Sequence, residues 1–265
     1  MNLAAFEAFV KVMETGSISM AADQLFITQP AVTKRIHSLE DYFGVKLFES
    51  AGRGVQATHA AHSLLPKVKN WLNELGDIHH TLSHDQTQIK GKLKVGTSHH
   101  IGLHHLPEHL KAYVQQYPDV TLDVHFVDSE QAHEKVLAGD LELAFLTLPP
   151  TLDDRLSYVP LWNDPLVFVA AAFHPLAAKA NLSLEDLIQY PSLLPASHTY
   201  TSQITLAEFE QKGLKPKITM SNNPLESIRM LASIGLGWSV LPETLLNQDL
   251  KQLDINFEMN RQLGM

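Results

Sequence analysis

Residues 18–40, ISMAADQLFITQPAVTKRIHSLE, decide how this chain is read. They form two short amphipathic stretches joined through Phe26-Ile27-Thr28. The first, about Ser19 to Leu25, carries Ala21, Ala22 and Leu25 as small or apolar positions. The second starts near Gln29 and places Pro30 in its first turn, where a missing N–H loses no hydrogen bond. Two helices with so short a link must cross steeply. That is the helix-turn-helix arrangement, whose second helix can enter a DNA major groove.

Rotation at about 100° per residue tests the second helix. With Val32 as origin, Ile36 and Leu39 fall within about 40° and make one stripe for burial. Pro30, Thr33, Lys34 and His37 fall on the other side, at roughly 100° to 200°. That face offers a hydroxyl, an ammonium, an imidazole and an apolar ring that can touch a thymine methyl. Gln29 sits at the helix N-terminus, where backbone N–H groups can meet a phosphate. On spacing alone, an ordinary αα-hairpin with a polar surface face fits equally well.

Motifs on either side separate these readings. Phe6-Glu7-Ala8-Phe9, Glu14-Thr15-Gly16-Ser17, Ala21-Ala22, Gln29-Pro30-Ala31-Val32, Leu39-Glu40, Phe43-Gly44-Val45-Lys46-Leu47-Phe48 and Thr58 occur in order at close spacing. The set resembles the N-terminal domain of LysR-type bacterial transcriptional regulators. The resemblance implies an N-terminal winged helix-turn-helix, otherwise all-α, followed by a long linker helix. It also implies a C-terminal α/β domain of two lobes, like a periplasmic binding protein. Two positions depart from the family pattern. Ser50 stands where a basic residue usually follows Leu-Phe-Glu, which removes a phosphate contact. Ala61 replaces a usual Gly and favours helix by roughly 1 kcal/mol.

Lys46 to Phe48 and Val55 to Thr58 read as the strands of the wing, with Ala51-Gly52-Arg53-Gly54 as its turn. By resemblance, Arg53 at the tip reaches the DNA backbone or minor groove. The candidate DNA-contacting set is therefore Gln29, Pro30, Thr33, Lys34, Arg35, His37 and Arg53.

The chain has 265 residues, 45% of them hydrophobic, enough for two or three compact units. It has no Cys, which excludes disulfides and thiolate metal sites. No run of 18 apolar residues and no signal pattern occurs, so a cytoplasmic protein without a membrane partner is expected. The net charge of −9 looks wrong for a DNA binder. Residues 1–70, however, carry 7 Lys+Arg against 6 Asp+Glu, and the acidic excess belongs to the remainder. A domain so weakly basic must rely on local placement and on two copies binding together.

From Thr58 to about Gln86 the pattern is helical. Leu64, Val68, Trp71, Leu75, Ile78 and Leu82 follow an a/d spacing that suits a coiled-coil dimer. A single helix packed on its own domain is the alternative. Pro66 should kink that helix or loosen its first turns. Ser83 to Gly91 reads as a hinge. The expected domains are 1–58, 59–90 and 91–265, with a first lobe of about 91–161 plus the chain end and a second of about 162–258.

Beyond Lys92, strands and helices alternate, as in α/β layers with largely parallel sheets. Strands are expected at Leu93–Gly96, Val120–Phe126, Leu141–Leu146, Leu166–Ala172 and Trp238–Leu241. Helices are expected at Leu103–Gln116, Glu130–Ala138, Ile204–Gln211 and Leu225–Ser233. A crossover near Pro160 to Pro165 starts the second lobe. The last strand and helix usual in the family are not evident before Met265. Ligands in such sheets sit beyond strand C-termini, near helix N-termini. Thr97, Ser98, His99, His100, Thr147, Thr201, Ser202, Asn222 and Asn223 occupy such loops and suit a small anionic metabolite. Plain N-capping is the alternative for each hydroxyl.

Five of the fifteen histidines fall between His99 and His109. His100 with His104, and His105 with His109, have the i,i+4 spacing that can hold a metal. No HExxH pattern or second acidic cluster completes a site, so no metal ligands and no cofactor beyond the effector are expected. No nucleophile elbow, P-loop or dinucleotide fingerprint supports an enzyme. The expected function is an effector-responsive regulator. Its partners would be double-stranded promoter DNA, a small molecule, its own copies as homodimer or homotetramer, and RNA polymerase. The alternative is a cytoplasmic metabolite- or metal-binding sensor with weak DNA binding.

Overall fold

The computed structural model describes residues 2–51, 54–82 and 89–265, without the side chains of 77 and 79–82. It divides into two compact units, residues 1–87 with 137–140, and residues 88–136 with 141–265.

The first unit starts with α1 (Leu3–Thr15), α2 (Ile18–Gln24) and α3 (Gln29–Phe43). Asn2 caps α1 by accepting from the Ala4 N–H, and Ser17 caps α2 by accepting from the Met20 N–H. Gly16 and Gly44 end α1 and α3 in left-handed conformations that glycine adopts without penalty. The short α2–α3 link is closed by the Ile27 N–H donating to Ala22 O, with Phe26 at φ 55° on its exposed outside. Val32, Ile36 and Leu39 are buried against Phe6, Phe9, Val12, Ala21 and Ala22, as the helical period requires.

The wing pairs β1 (Phe48–Ala51) with β2 (Gly54–Ala57), antiparallel, with Phe48 opposite Ala57. The first strand lies later than the sequence suggests. Lys46 and Leu47 precede the ladder because both are tied back to Glu40, with Lys46 Nζ at 2.8 Å and the Leu47 N–H at 2.9 Å. Gly52 and Arg53 lie outside the described residues. Gly54 is needed at β2: a Cβ there would stand 2.8 Å from Gly16 O, and the next N–H, of Val55, donates to that same oxygen.

Helix α4 (His59–Leu82) runs continuously through Pro66. Its Ala61 and Val68 belong to the core of the first three helices, and Trp71 packs edge-on to Phe6 at 5.1 Å. The expected seam is therefore divided. Val68 is buried in its own domain, whereas Ile78 is 52% exposed. The Leu82 side chain and residues 83–88 of the expected Ser83–Gly91 hinge lie outside the described residues, and Gly91 already belongs to the first strand of the second unit.

The second unit follows the chain through β3 (Gly91–Thr97), α5 (His99–His104), α6 (Pro107–Gln116), β4 (Val120–Phe126), α7 (Ser129–Leu137) and β5 (Leu143–Thr147). Next come β6 (Pro160–Ala171), α8 (Leu184–Leu187), β7 (Pro191–Leu194), α9 (Tyr200–Gln211) and β8 (Lys217–Ser221). It ends with α10 (Leu225–Ser233), β9 (Trp238–Pro242), β10 (Leu250–Gln252) and β11 (Met259–Gly264).

Two parallel triads, β4-β3-β5 and β9-β7-β8, form the lobes. The long crossover β6 and the terminal β11, antiparallel to each other, lie between them. The crossover is where Pro160 to Pro165 suggested it. The expectation of no last strand is corrected, since β11 returns to β5 of the first lobe. Its Arg261 and Gln262 gave MNRQLG too polar a look for a strand. One expected helix is also corrected: Leu103–Gln116 is two helices, because Pro107 opens α6 and cannot continue α5. The second lobe is built around Trp238, stacked on Phe209 at 5.6 Å and donating its indole N–H to Leu187 O.

Candidate DNA interface and effector cleft

On α3, the side opposite the buried stripe gathers Gln29, Pro30, Thr33, Lys34 and His37 around one shallow concavity. Lys34 is exposed and makes no ion pair among the described residues. Thr33 Oγ1 already donates to Gln29 O at 3.1 Å, so towards a base it offers its lone pairs and its methyl group. Arg35 does not share this face. Its Nη1 donates to Ala4 O at the start of α1, because it sits at the edge of the buried stripe. Arg35 therefore braces α3 against α1 and lies outside the concavity that the other five residues line.

Glu40 entered the sequence reading only as part of the Leu39-Glu40 motif, with no role assigned, yet it ties α3 to the start of the wing. It is 6% exposed and accepts from Lys46 Nζ, the Leu47 and Phe48 N–H groups, and pairs with His37 Nδ1 at 3.1 Å. One carboxylate thus joins the end of the outer face to the start of the wing. Burial alone would raise its pKa, but these four partners outweigh it and hold the carboxyl below its ordinary value.

The cleft of the second unit is lined by residues from both lobes. Ser98, His99, His100, Asp128, Ser129, Glu130 and Thr147 come from the first lobe. Pro195, Thr199, Thr201, Asn223, Pro224 and Leu225 come from the second, and Arg261 from β11 between them. Six of the nine expected effector residues are brought together: Ser98, His99, His100, Thr147, Thr201 and Asn223. Three do not line it. Thr97 Oγ1 donates to Ser98 O, Ser202 Oγ is buried on Pro195 O at 2.6 Å, and Asn222 lies outside the lining. Ser98 makes no side-chain cap bond, so its hydroxyl is not used up by α5. On α9 the cap is Thr199, which accepts from the Ser202 N–H and leaves Thr201 for another role.

That role involves Arg261, which lies 4% exposed in β11. Its Nε donates to Asp164 Oδ2 and its Nη1 to Thr201 Oγ1, both at 2.7 Å. Its Nη2 has no hydrogen-bond partner among the described residues. Asp164 is 2% exposed and lies 3.6 Å from His100 Nε2. Burial works against charge at Asp164, but His100 and Arg261 override it and keep its pKa low. Burial pushes the His100 imidazole down, towards its neutral form. Across the cleft, Glu130 accepts from the Tyr200 N–H at the start of α9, and Asp128 accepts from Asn223 Nδ2 at 2.5 Å. The cleft is partly open to solvent and holds about 50 Å³ of space that the centre of a water molecule can occupy, room for a few waters or one compact ion.

Arg261, Asp164, Asp128 and Glu130 were missed at the sequence level. An isolated charge inside a strand or loop carries no periodic signal, and Asp164 and Arg261 meet only through strand pairing.

Comparison with known proteins agrees with this architecture. Residues 3–62 match the family described as bacterial regulatory helix-turn-helix protein, lysR family, and residues 86–260 match the LysR substrate binding domain. The HTH-type transcriptional activator CmpR of Synechocystis sp. is 31% identical over 89% of this chain and 77% of its own length. A full-length point variant of OxyR from Pseudomonas aeruginosa superposes with a TM-score of 0.76 at 21% identity, covering 100% of this chain and 90% of that one. Full-length CbnR in complex with its target DNA gives 0.65 at 20% identity, over 100% and 92%. The chain belongs to the LysR family. It is a LysR-type DNA-binding transcriptional regulator with an effector-binding domain.

Proposed function

We propose that this regulator binds paired half-sites of promoter DNA as a homodimer or homotetramer, and that a compact anion in the interlobe cleft resets that binding. The observation that carries the anion is Arg261 Nη2, a buried guanidinium N–H with no acceptor among the described residues, at the wall of a cleft that also holds Ser98. Leaving such a group unpaired costs about 1–3 kcal/mol, which a guest acceptor would recover.

Asp128 and Glu130 set the condition for entry. They occupy the Asn223 amide and the N-terminus of α9, both donors suited to an anion. An arriving effector competes with them, and so changes how the lobes are held. That difference in interlobe contacts is what a ligand needs in order to shift a two-state assembly.

For the DNA half, Gln29, Pro30, Thr33, Lys34 and His37 share one open face, and CbnR, of the same fold, has been captured with target DNA. Lys34 supplies charge towards phosphate and Pro30 and Thr33 touch base edges. Dimerisation falls to the outer half of α4, where Leu75 and Ile78 are not consumed by the domain's own core. A selection from chromosomal fragments followed by gel-shift titration tests the reading. Tight binding to a recovered fragment, weakened in Lys34→Ala with a salt slope lower by about one unit, supports it. Weak binding without preference favours a sensor module instead.

A further inference from the structure

The histidines of α5 carry an inference beyond anion binding, at a site that shares His100 with the cleft. We propose that His100, His104 and Glu226 form a site for a divalent transition metal, zinc by class, that ties the first lobe to the second. His100 and His104 stand one turn apart on α5, with ring centroids 5.1 Å apart. Glu226 comes from the first turn of α10, in the other lobe. One ligand atom from each of the three lies within 4.8 Å of the others.

Hydrogen bonding leaves these atoms available. His100 is 3% exposed, and among the described residues neither ring nitrogen makes a hydrogen bond; the carboxylate facing it, Asp164 Oδ2 at 3.6 Å, is already held by Arg261. Glu226 Oε1 is likewise buried and, among the described residues, accepts no hydrogen bond; only His104 approaches it within ion-pair distance. Buried polar atoms are satisfied in the great majority of cases, so two such residues facing each other call for a missing partner. His104 Nε2 lies 3.5 Å from Glu226 Oε1. Ligands held about 2.0–2.1 Å from a tetrahedral ion stand roughly 3.4 Å apart, so this pair is already at bonding separation.

The chemistry selects the ion. Two imidazoles and one carboxylate suit zinc and its first-row neighbours, whereas calcium and magnesium prefer oxygen alone. With no Cys in the chain, thiolate-seeking ions gain nothing here. His100, His105 and Asp164 make a second possible trio, but Asp164 Oδ2 is committed to Arg261 Nε at 2.7 Å. That ion pair also neutralises the Arg261 cation near the site. Three protein ligands leave a fourth position for water.

The backbone holds α5 in place for this purpose. A Cβ on Gly102 would come within 2.4 Å of the Phe126 ring and 2.9 Å of Thr97 Cγ2, so only glycine lets α5 lie this close to the strand ends. Sequence reading found the i,i+4 pair but not its third ligand, which lies more than a hundred residues later.

Cobalt titration of the metal-free full-length chain tests the proposal. Wild-type protein should bind one Co²⁺ with the intense visible bands of tetrahedral coordination, and Zn²⁺ should displace it. His104→Ala and Glu226→Gln should each weaken Co²⁺ binding roughly tenfold or more and flatten those bands. Both residues are partly exposed, so metal-free variants that melt like the wild type confirm intact folding. His62→Ala, an exposed histidine of the other compact unit, should change nothing. No tetrahedral spectrum in the wild type overturns the site. So does unchanged affinity in both variants, or an equal loss in His62→Ala.

Discussion

Replacing Arg261 by methionine removes the cation from a pair in which both members are under 5% exposed. Asp164 would keep its charge while buried and lose its donor at 2.7 Å, while Thr201 loses its own bond from Nη1. Breaking a buried pair from one side costs about 3–5 kcal/mol, because the remaining charge is uncompensated. In a domain of this size, each kcal/mol moves the midpoint by roughly 2–4 °C, so a fall of roughly 6–20 °C is expected. Adding Asp164→Leu removes the stranded charge and should recover most of the loss. Thermal unfolding followed by tryptophan fluorescence reads this directly, since Trp162 and Trp238 lie in the affected unit and only Trp71 in the other. A loss under about 1 kcal/mol in Arg261→Met, or a double variant no better than the single, would refute the idea that this pair is a buried, mutually dependent unit.

Leu75→Asp places a charge in the outer half of α4, where desolvation opposes association. Sedimentation should show monomer, and a persistent dimer with normal DNA binding would put the interface elsewhere. Glu40 has a carboxyl pKa held below its unfolded value, so its contribution is present above about pH 4.5 and disappears as pH falls through the lower, folded value. Glu40→Gln should therefore destabilise the DNA-binding unit at pH 7 and lose that difference in acid; an equal deficit at both pH values would contradict the ionic role. Thr33→Val keeps the methyl and removes the hydroxyl, so site preference should shift by roughly 1–3 kcal/mol at one base pair only if the oxygen is what reads it. An unchanged preference assigns the contact to the methyl.

What the sequence shows of this molecule follows from periodicity and turn chemistry. Val32, Ile36 and Leu39 repeat at helical spacing and are buried as that spacing requires, and the outer face of α3 comes out residue for residue except at Arg35. Short or polar strands escaped: Lys217–Ser221 is exposed along its whole length, and Met259–Gly264 contains a buried arginine that no alternation pattern marks. In the cleft, hydroxyls after strands were legible because loop positions near helix N-termini are. Which of them faces inward was not, because that depends on where the helix starts. Tyr200 opens α9 one residue ahead of Thr201, which makes Thr199 the cap and frees Thr201 to meet Arg261. Asp164 with Arg261, and His104 with Glu226, join only when strands and lobes come together.

An anion in this cleft, on the function proposed above, controls DNA binding by the other unit. The most direct test of that control is effector response in Ser98→Ala, whose hydroxyl lines the cleft without capping α5. Small oxyanions and short carboxylates are first screened for a thermal shift of the full-length protein. The anion that stabilises it is then titrated into a footprinting assay on the recovered promoter fragment. The account predicts that Ser98→Ala binds DNA as the wild type does without effector, and needs a much higher anion concentration to change the footprint. A Ser98→Ala protein that responds at the wild-type concentration would contradict it and move the effector site away from this cleft.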